Sequence, residues 1–189
     1  MTVLVISTSP RIRSNSDALA EELVRGAKDA GHEVEKISLR GKNIQFCRGC
    51  LACQHDEVKQ MFIDGDCTKA CVIKDDVAPI IQKIHDADVI CWATPIYYYE
   101  MSGQMKTLID RGNPLYTTDY HFRDIYMLTT AADDEPQTPD RAVAGLTGWI
   151  DCFPKSQLKG TVFAGGVNDM GEIKGHPSLQ KAYEMGKNI

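Results

Sequence analysis

Four apolar residues, Val3-Leu4-Val5-Ile6, run straight into a polar loop, Ser7 to Ser16, and from there into helical spacing. A short apolar run bounded by turn-forming residues reads as a buried strand. From Asp17 to Ala30, Ala18, Leu19, Leu23, Ala27 and Ala30 mark one helix face, and Gly31 stops the helix. A strand that feeds a helix through a polar loop is half of a parallel crossover unit, and few folds accept it.

The pattern then repeats. Val34 to Leu39 is a second, weaker strand. Asp75 and Asp76 are suited to cap a helix whose inner face is Val77, Ile80, Ile81 and Ile84. Asp88 to Ala93 is the clearest buried strand, and Ser102 can cap a helix carrying Met105, Leu108 and Ile109 and ending at Gly112. Ile125 to Leu128 and Thr161 to Ala164 complete five strands. Helical spacing also appears at Val143, Leu146, Trp149 and Ile150, and after Pro177 at Leu179, Ala182 and Tyr183.

Strands alternating with helices imply an α/β fold with a parallel sheet covered on both faces. Five strands fit a doubly wound sheet of order 2-1-3-4-5, in which ligands sit beyond the carboxyl ends of the strands where strand order reverses. The chemistry is therefore expected in the loops after strands 1, 3 and 4. With 189 residues and 43% hydrophobic content, residues 1–189 read as one domain, with an irregular, cysteine-rich excursion over about 41–74.

Formal net charge is -5, with no Lys/Arg cluster, which argues against nucleic-acid binding. No basic leader or cleavage pattern precedes Val3, and no apolar run is long enough for a bilayer. A cytoplasmic location is expected, without membrane contact. There the seven cysteines read as free, metal-bound or redox-active rather than as disulfides.

The loop after strand 1 ends where a helix begins, so free N–H groups and the helix dipole attract an anion. Ser9, Ser14 and Ser16 add hydroxyls, Asn15 an amide, and Arg11 a guanidinium fork. Neither G-x-G-x-x-G nor G-x-x-x-x-G-K-[ST] is present, which argues against a dinucleotide pyrophosphate or a P-loop. A capping loop without ligand could use the same serines. The coincidence of loop, helix start and switch point favours a phosphate. After strand 3, Thr94-Pro95-Ile96-Tyr97-Tyr98-Tyr99 could wall one side of a flat aromatic ligand.

Together, Ser9-Pro10-Arg11, Ser14-Asn15-Ser16, Thr94-Pro95-Ile96-Tyr97, Ser102-Gly103-Gln104-Met105-Lys106 and Ile109-Asp110-Arg111 resemble the NADPH-dependent FMN reductase family and its flavodoxin and iron–sulfur flavoprotein relatives. The resemblance implies a flavodoxin-like fold with FMN phosphate in the loop Ser9 to Ser16. It implies an isoalloxazine lined by Pro95, Ile96, Tyr97 and Tyr98, and a third contact from Thr129, Thr130, Ala131 and Ala132. It implies electrons passing from NAD(P)H through FMN to a small-molecule acceptor, with no catalytic side chain. It also implies a homo-oligomer, dimer or tetramer, for which Tyr97 to Met101 and Tyr116 to Phe122 offer apolar surface. Asp110 and Arg111 read as a helix-end ion pair.

Cys47-Arg48-Gly49-Cys50-Leu51-Ala52-Cys53 is a C-x-x-C-x-x-C run, followed by Cys67 and Cys71. Three such thiolates can share one metal centre if a fourth ligand comes from elsewhere. The segment resembles the [4Fe–4S] motif of iron–sulfur flavoproteins but departs from it in the longer insert Gln54 to Ala70. That alignment favours Cys71 over Cys67 as the fourth ligand. Three states stay open: a cluster on Cys47, Cys50, Cys53 and Cys71, a zinc site, or free thiols. A cluster would make the chain an electron carrier, with a ferredoxin-like donor as partner. A non-enzymatic binding protein on the same fold is the remaining alternative. Cys91 reads as a buried small hydrophobe, and His55 and His85 as exposed.

Overall fold

The computed structural model describes the backbone of residues 1–189 and every side chain except that of Thr117. Six strands and six α-helices follow one another: β1 (Thr2–Ser7), α1 (Asn15–Asp29), β2 (Glu33–Ser38), α2 (Asp56–Ile63), α3 (Val77–Asp86), β3 (Val89–Tyr97), β4 (Glu100–Met101), α4 (Gly103–Arg111), β5 (Asp124–Thr130), α5 (Asp140–Ile150), β6 (Gln157–Ala164) and α6 (Pro177–Lys187). The parallel sheet has the order β2-β1-β3-β5-β6, and β4 folds back antiparallel on the end of β3. Leaving aside that two-residue hairpin arm, this is the expected 2-1-3-4-5 order of a flavodoxin-like sheet.

The strands alternate between two cores, as a sheet covered on both faces requires. Val3, Val5, Cys91 and Leu128 pack with Leu19, Leu23 and Ala182 of α1 and α6. Leu4, Ile6, Ile90 and Trp92 pack on the other side with Ile80 and Ile84 of α3, Met105 and Leu108 of α4 and Leu146 of α5. Each fully buried aliphatic side chain contributes about 1.5–3 kcal/mol. Cys91 is fully buried among them, as expected.

Helix α1 starts two residues earlier than its apolar spacing indicated. Ser14 caps it, its Oγ accepting the Asp17 N–H at 3.1 Å. Strand β3 runs past its expected end, through Pro95 to Tyr97. A proline is tolerated there because β1 ends opposite Ala93, so beyond that point β3 has no β1 ladder to supply. The chain turns back at Tyr98 and Tyr99, with φ of +52° and +65°.

The cysteine-rich excursion is less irregular than expected. Asp56 and Glu57 sit in the first turn of α2, whose Val58 and Phe62 are buried. Arg111 anchors the excursion to the end of α4. Its guanidinium forks onto Asp75, with Nη1 to Oδ2 at 2.6 Å and Nη2 to Oδ1 at 3.1 Å, and also donates to the Gln45 carbonyl at 2.9 Å. Asp110 is not its partner; Asp110 pairs with Lys106 at 2.6 Å. Asp76 holds the cap position of α3, but its carboxylate accepts the Asn43 N–H, and Asp75 accepts that of Val77.

Two further expectations fail on burial. His85 is 7% exposed, its ring between those of Phe62 and His121. Tyr120 and Phe122 are buried and stacked on each other at 4.4 Å, and Met101 is buried too, so these three offer no contact surface, while Tyr116 stays 59% exposed.

Helices α1 and α6 approach at Gly26 and Gly186. A Cβ on Gly26 would lie 2.0 Å from the Tyr183 carbonyl oxygen, and one on Gly186 would lie 2.1 Å from that of Leu23. Helix propensity alone makes Gly→Ala stabilising by about 1 kcal/mol. Here the clash reverses the sign, and Gly26→Ala should lose about 1–3 kcal/mol in urea unfolding. A gain would mean that the helices are not in this contact.

Burial pushes the Asp75 carboxyl upward, but the Arg111 fork and the N–H groups of Gln45 and Val77 outweigh it and hold it below the usual carboxylate range. A depressed folded pKa gives stability present above the unfolded value, about 3.9, and lost as pH falls through the folded value. Asp75→Asn should therefore cost about 3–5 kcal/mol at pH 7, by leaving the guanidinium buried and unpaired. Its denaturant midpoint should also fall less steeply than wild type between about pH 4 and 2. Parallel pH profiles would remove Asp75 from the account.

Candidate functional site

At the carboxyl edge of the sheet, buried hydroxyls join the exits of β1 and β3 to the start of α4. Thr8 Oγ1 donates to the Ala93 carbonyl at 3.1 Å, Ser102 Oγ lies 3.0 Å from Thr8 Oγ1, and the Ser102 N–H donates to Thr94 Oγ1 at 3.1 Å. Ser102 Oγ also accepts the Met105 N–H, so it caps α4 as expected.

Beside this network lies a cleft of about 310 Å³. One wall is the loop before α1, with Ser9, Arg11 and Ser14, and the first residues of that helix, Asn15 and Ser16. The end of β3 supplies Pro95, Ile96, Tyr97 and Tyr98. Thr130, Ala131 and Ala132 come from the end of β5. These segments lie far apart in sequence, and the fold brings them together. Thr129 stays out of the cleft: it is 1% exposed, and its hydroxyl donates to the Val162 carbonyl.

The polar wall is partly committed to itself. Ser9 Oγ accepts the Arg11 N–H at 3.2 Å, and Ser14 Oγ caps α1 while lying 3.3 Å from Ser16 Oγ. Arg11 Nη1 donates to the Asn168 carbonyl at 2.6 Å, one of a guanidinium's five N–H donors. The first amides and positive dipole end of the fifteen-residue α1 reinforce this end. The other end is apolar, from Pro95, Ile96 and Ala131. One end that favours an anion and one that favours a flat apolar ring suit the phosphate ester of an aromatic cofactor such as FMN.

Two lining residues lay outside sequence reasoning, Val167 and Asn168, from the segment after β6. The signal was the pair Gly165-Gly166. A Cβ on Gly165 would lie 2.5 Å from Asp134 Cα, so the chain must pass close to the β5 loop there. Of the three tyrosines, Tyr97 and Tyr98 line the cleft, Tyr98 standing 98% exposed at the rim, and Tyr99 does not line it.

The cysteines divide into two groups. Burial raises the Cys53 thiol, against a hydrogen bond that its sulfur accepts from Asn113 Nδ2 at 3.3 Å. Arg111 Nη2 lies 3.5 Å from Cys71 Sγ, and Cys47 and Cys50 are exposed. Cys67 stands apart, buried and donating to the Ala78 carbonyl at 2.9 Å, its thiol pushed up by burial to about 11. Among the described residues, no three Cys, His, Asp or Glu side chains gather closely enough to hold a metal ion. The C-x-x-C-x-x-C donors have the chemistry of a soft-metal site, but in this conformation they are not assembled into one. Among the described residues no helix is long and apolar enough to cross a membrane.

The profile of the NADPH-dependent FMN reductase family matches residues 1–164. An iron-sulfur flavoprotein of Archaeoglobus fulgidus is 35% identical over 124 residues, 66% of this chain and 55% of that protein. The chain spans about half the length of the first curated relatives it matches, 55% and 53% for two of them. An iron-sulfur flavoprotein of Methanosarcina thermophila matches over nearly the whole chain, at 22% identity across 98% of it and 88% of the relative. The fold is shared with NAD(P)H:quinone oxidoreductase from Methanothermobacter marburgensis, with a TM-score of 0.71 and 18% identity, covering 100% of this chain and 95% of the other. On this evidence the chain belongs to the NADPH-dependent FMN reductase family.

Proposed function

We propose that this protein is an FMN-dependent oxidoreductase that takes electrons from NAD(P)H and delivers them to a small-molecule acceptor, a quinone or an azo compound being the class named for its structural neighbours. The observation that carries this reading is the single cleft with an anion-favouring end at α1 and an apolar end at Pro95, Ile96 and Ala131. Bound FMN would supply the two-electron chemistry. The chain's own residues bind and orient. Arg11, Ser9 and Ser16 hold the phosphate end with the α1 amides. Pro95, Ile96 and Tyr97, together with Thr130, Ala131 and Ala132, would hold the ring. Hydride transfer to a flavin requires no side-chain acid or base. The exposed Tyr98–Tyr99 turn offers aromatic surface to a second subunit, and the protein works as a cytoplasmic homo-oligomer. Replacing Arg11 and Ser16 together by Ala should weaken FMN binding by about 1–3 kcal/mol in a fluorescence titration, through lost charge-assisted bonds. Unchanged affinity would move the phosphate elsewhere.

A second reading rests on the N–H donors that meet two of the sulfurs, Asn113 at Cys53 and Arg111 at Cys71. Such contacts stabilise anionic sulfur in thiolate-ligated centres. In this reading Cys47, Cys50, Cys53 and Cys71 close on a [4Fe–4S] cluster, and the chain relays electrons from a ferredoxin-like protein. Protein purified without oxygen should then hold about four irons per chain, with Cys71→Ser losing most of them and Cys67→Ser keeping them. FMN without iron in the wild-type chain would leave the plain flavin reductase.

A further inference from the structure

The segment between β6 and α6 has no regular structure, yet it is closely held. Asn15, the first residue of α1, is 7% exposed, and its amide is engaged three ways. Nδ2 donates to the Asp169 carbonyl at 2.9 Å, and Oδ1 accepts the N–H groups of Gly171 at 3.2 Å and Ile173 at 3.4 Å. Within the segment, Glu172 Oε2 accepts the N–H groups of Asn168 at 2.6 Å and Asp169 at 2.7 Å. Ile173 is 3% exposed, packed into the core beneath α1. The turns fall at Gly166, Gly171 and Gly175, with φ of +68°, +86° and +80°.

We propose that residues 165–175 are a strap forming a further wall of the cofactor cleft, and that Asn15 is the positioning residue that latches it. The inference rests on the FMN reading above, because the strap reaches the cleft through Val167 and Asn168. An amide oxygen accepts two hydrogen bonds, and both places on Asn15 are filled from the strap. Both acceptor places and one of the two amide N–H donors of Asn15 are thus spent on the strap, so its hold on the cofactor runs through the strap. Arg11 differs. With one N–H on Asn168 and others unspent, it holds strap and phosphate together, so each strengthens the other through one guanidinium.

Two variants loosen the strap from different sides. Asn15→Ala removes the latch, and Glu172→Ala removes the strap's internal tie without touching the cleft. Lys174, exposed on the strap, reports opening through tryptic cleavage. In the apoprotein both variants should speed that cleavage about tenfold, and in the FMN-loaded protein both should raise the FMN dissociation rate about tenfold, the scale of one net hydrogen bond. Glu172→Ala keeps the test open if Asn15→Ala fails to fold. If Glu172→Ala opens Lys174 but leaves FMN dissociation unchanged, the strap is not a wall and the proposal falls. If Asn15→Ala speeds FMN loss without faster cleavage, Asn15 is a phosphate donor and the latch falls. A wild-type chain that takes up no FMN sinks the flavin reading itself, and that result is separable because the cleavage assay needs no FMN.

Discussion

Three side-chain hydroxyls, those of Thr8, Thr94 and Ser102, hold the carboxyl edge of the sheet in register, and each of these residues is 0% exposed. A buried hydroxyl left unpaired costs about 1–3 kcal/mol, so these groups tolerate little displacement. Thr8 opens the loop to α1, Thr94 belongs to β3, and Ser102 starts α4. The polar wall and the tyrosine hairpin are thus set against the same few atoms. That common reference lets residues as far apart as Ser9 and Pro95 form one cleft.

Strain collects next to this point. Tyr98 and Tyr99 both adopt positive φ in a two-residue hairpin turn, where asparagine and glycine are the favoured residues. Each such residue costs about 1–2 kcal/mol. The surroundings over-determine the turn. Ile96 pairs with Met101 and Tyr97 with Glu100, Met101 is 5% exposed, and its N–H donates to Glu100 Oε1 at 2.8 Å. Strain held by this many contacts at the mouth of a cleft is a means of aiming side chains. What it aims outward is Tyr98.

What the sequence disclosed follows from the range of the forces involved. Period-two and period-3.6 apolar patterns are local, so β1, β3, α1 and α4 were legible, and the order of the strands with them. The walls from Ser9 to Ser16 and from Pro95 to Tyr98 were legible because a switch point is a topological fact. Partners chosen across the fold were not. Arg111 pairs with Asp75, thirty-six residues away, while local reading offered Asp110. Asn15 finds its partners 154 to 158 residues on, so no spacing rule could separate its latch role from a phosphate contact. Burial of His85 depends on Phe62, which belongs to a helix only eight residues long.

The same logic relates the cleft to the cysteines. Helix α4 begins at Ser102, inside the hydroxyl network, and ends at Arg111, whose guanidinium touches Asp75, Gln45 and Cys71. Nine residues of α-helix make a rod about 14 Å long. Asn113, just past its end, reaches Cys53. Cys47 and Cys50 are exposed, whereas Cys53 and Cys71 are referred through Asn113 and Arg111 at the end of α4 to the atoms that shape the cleft. Any chemistry the four thiols perform together therefore happens at a distance from the cleft fixed by a helix and a buried ion pair, not by the conformation of the loop.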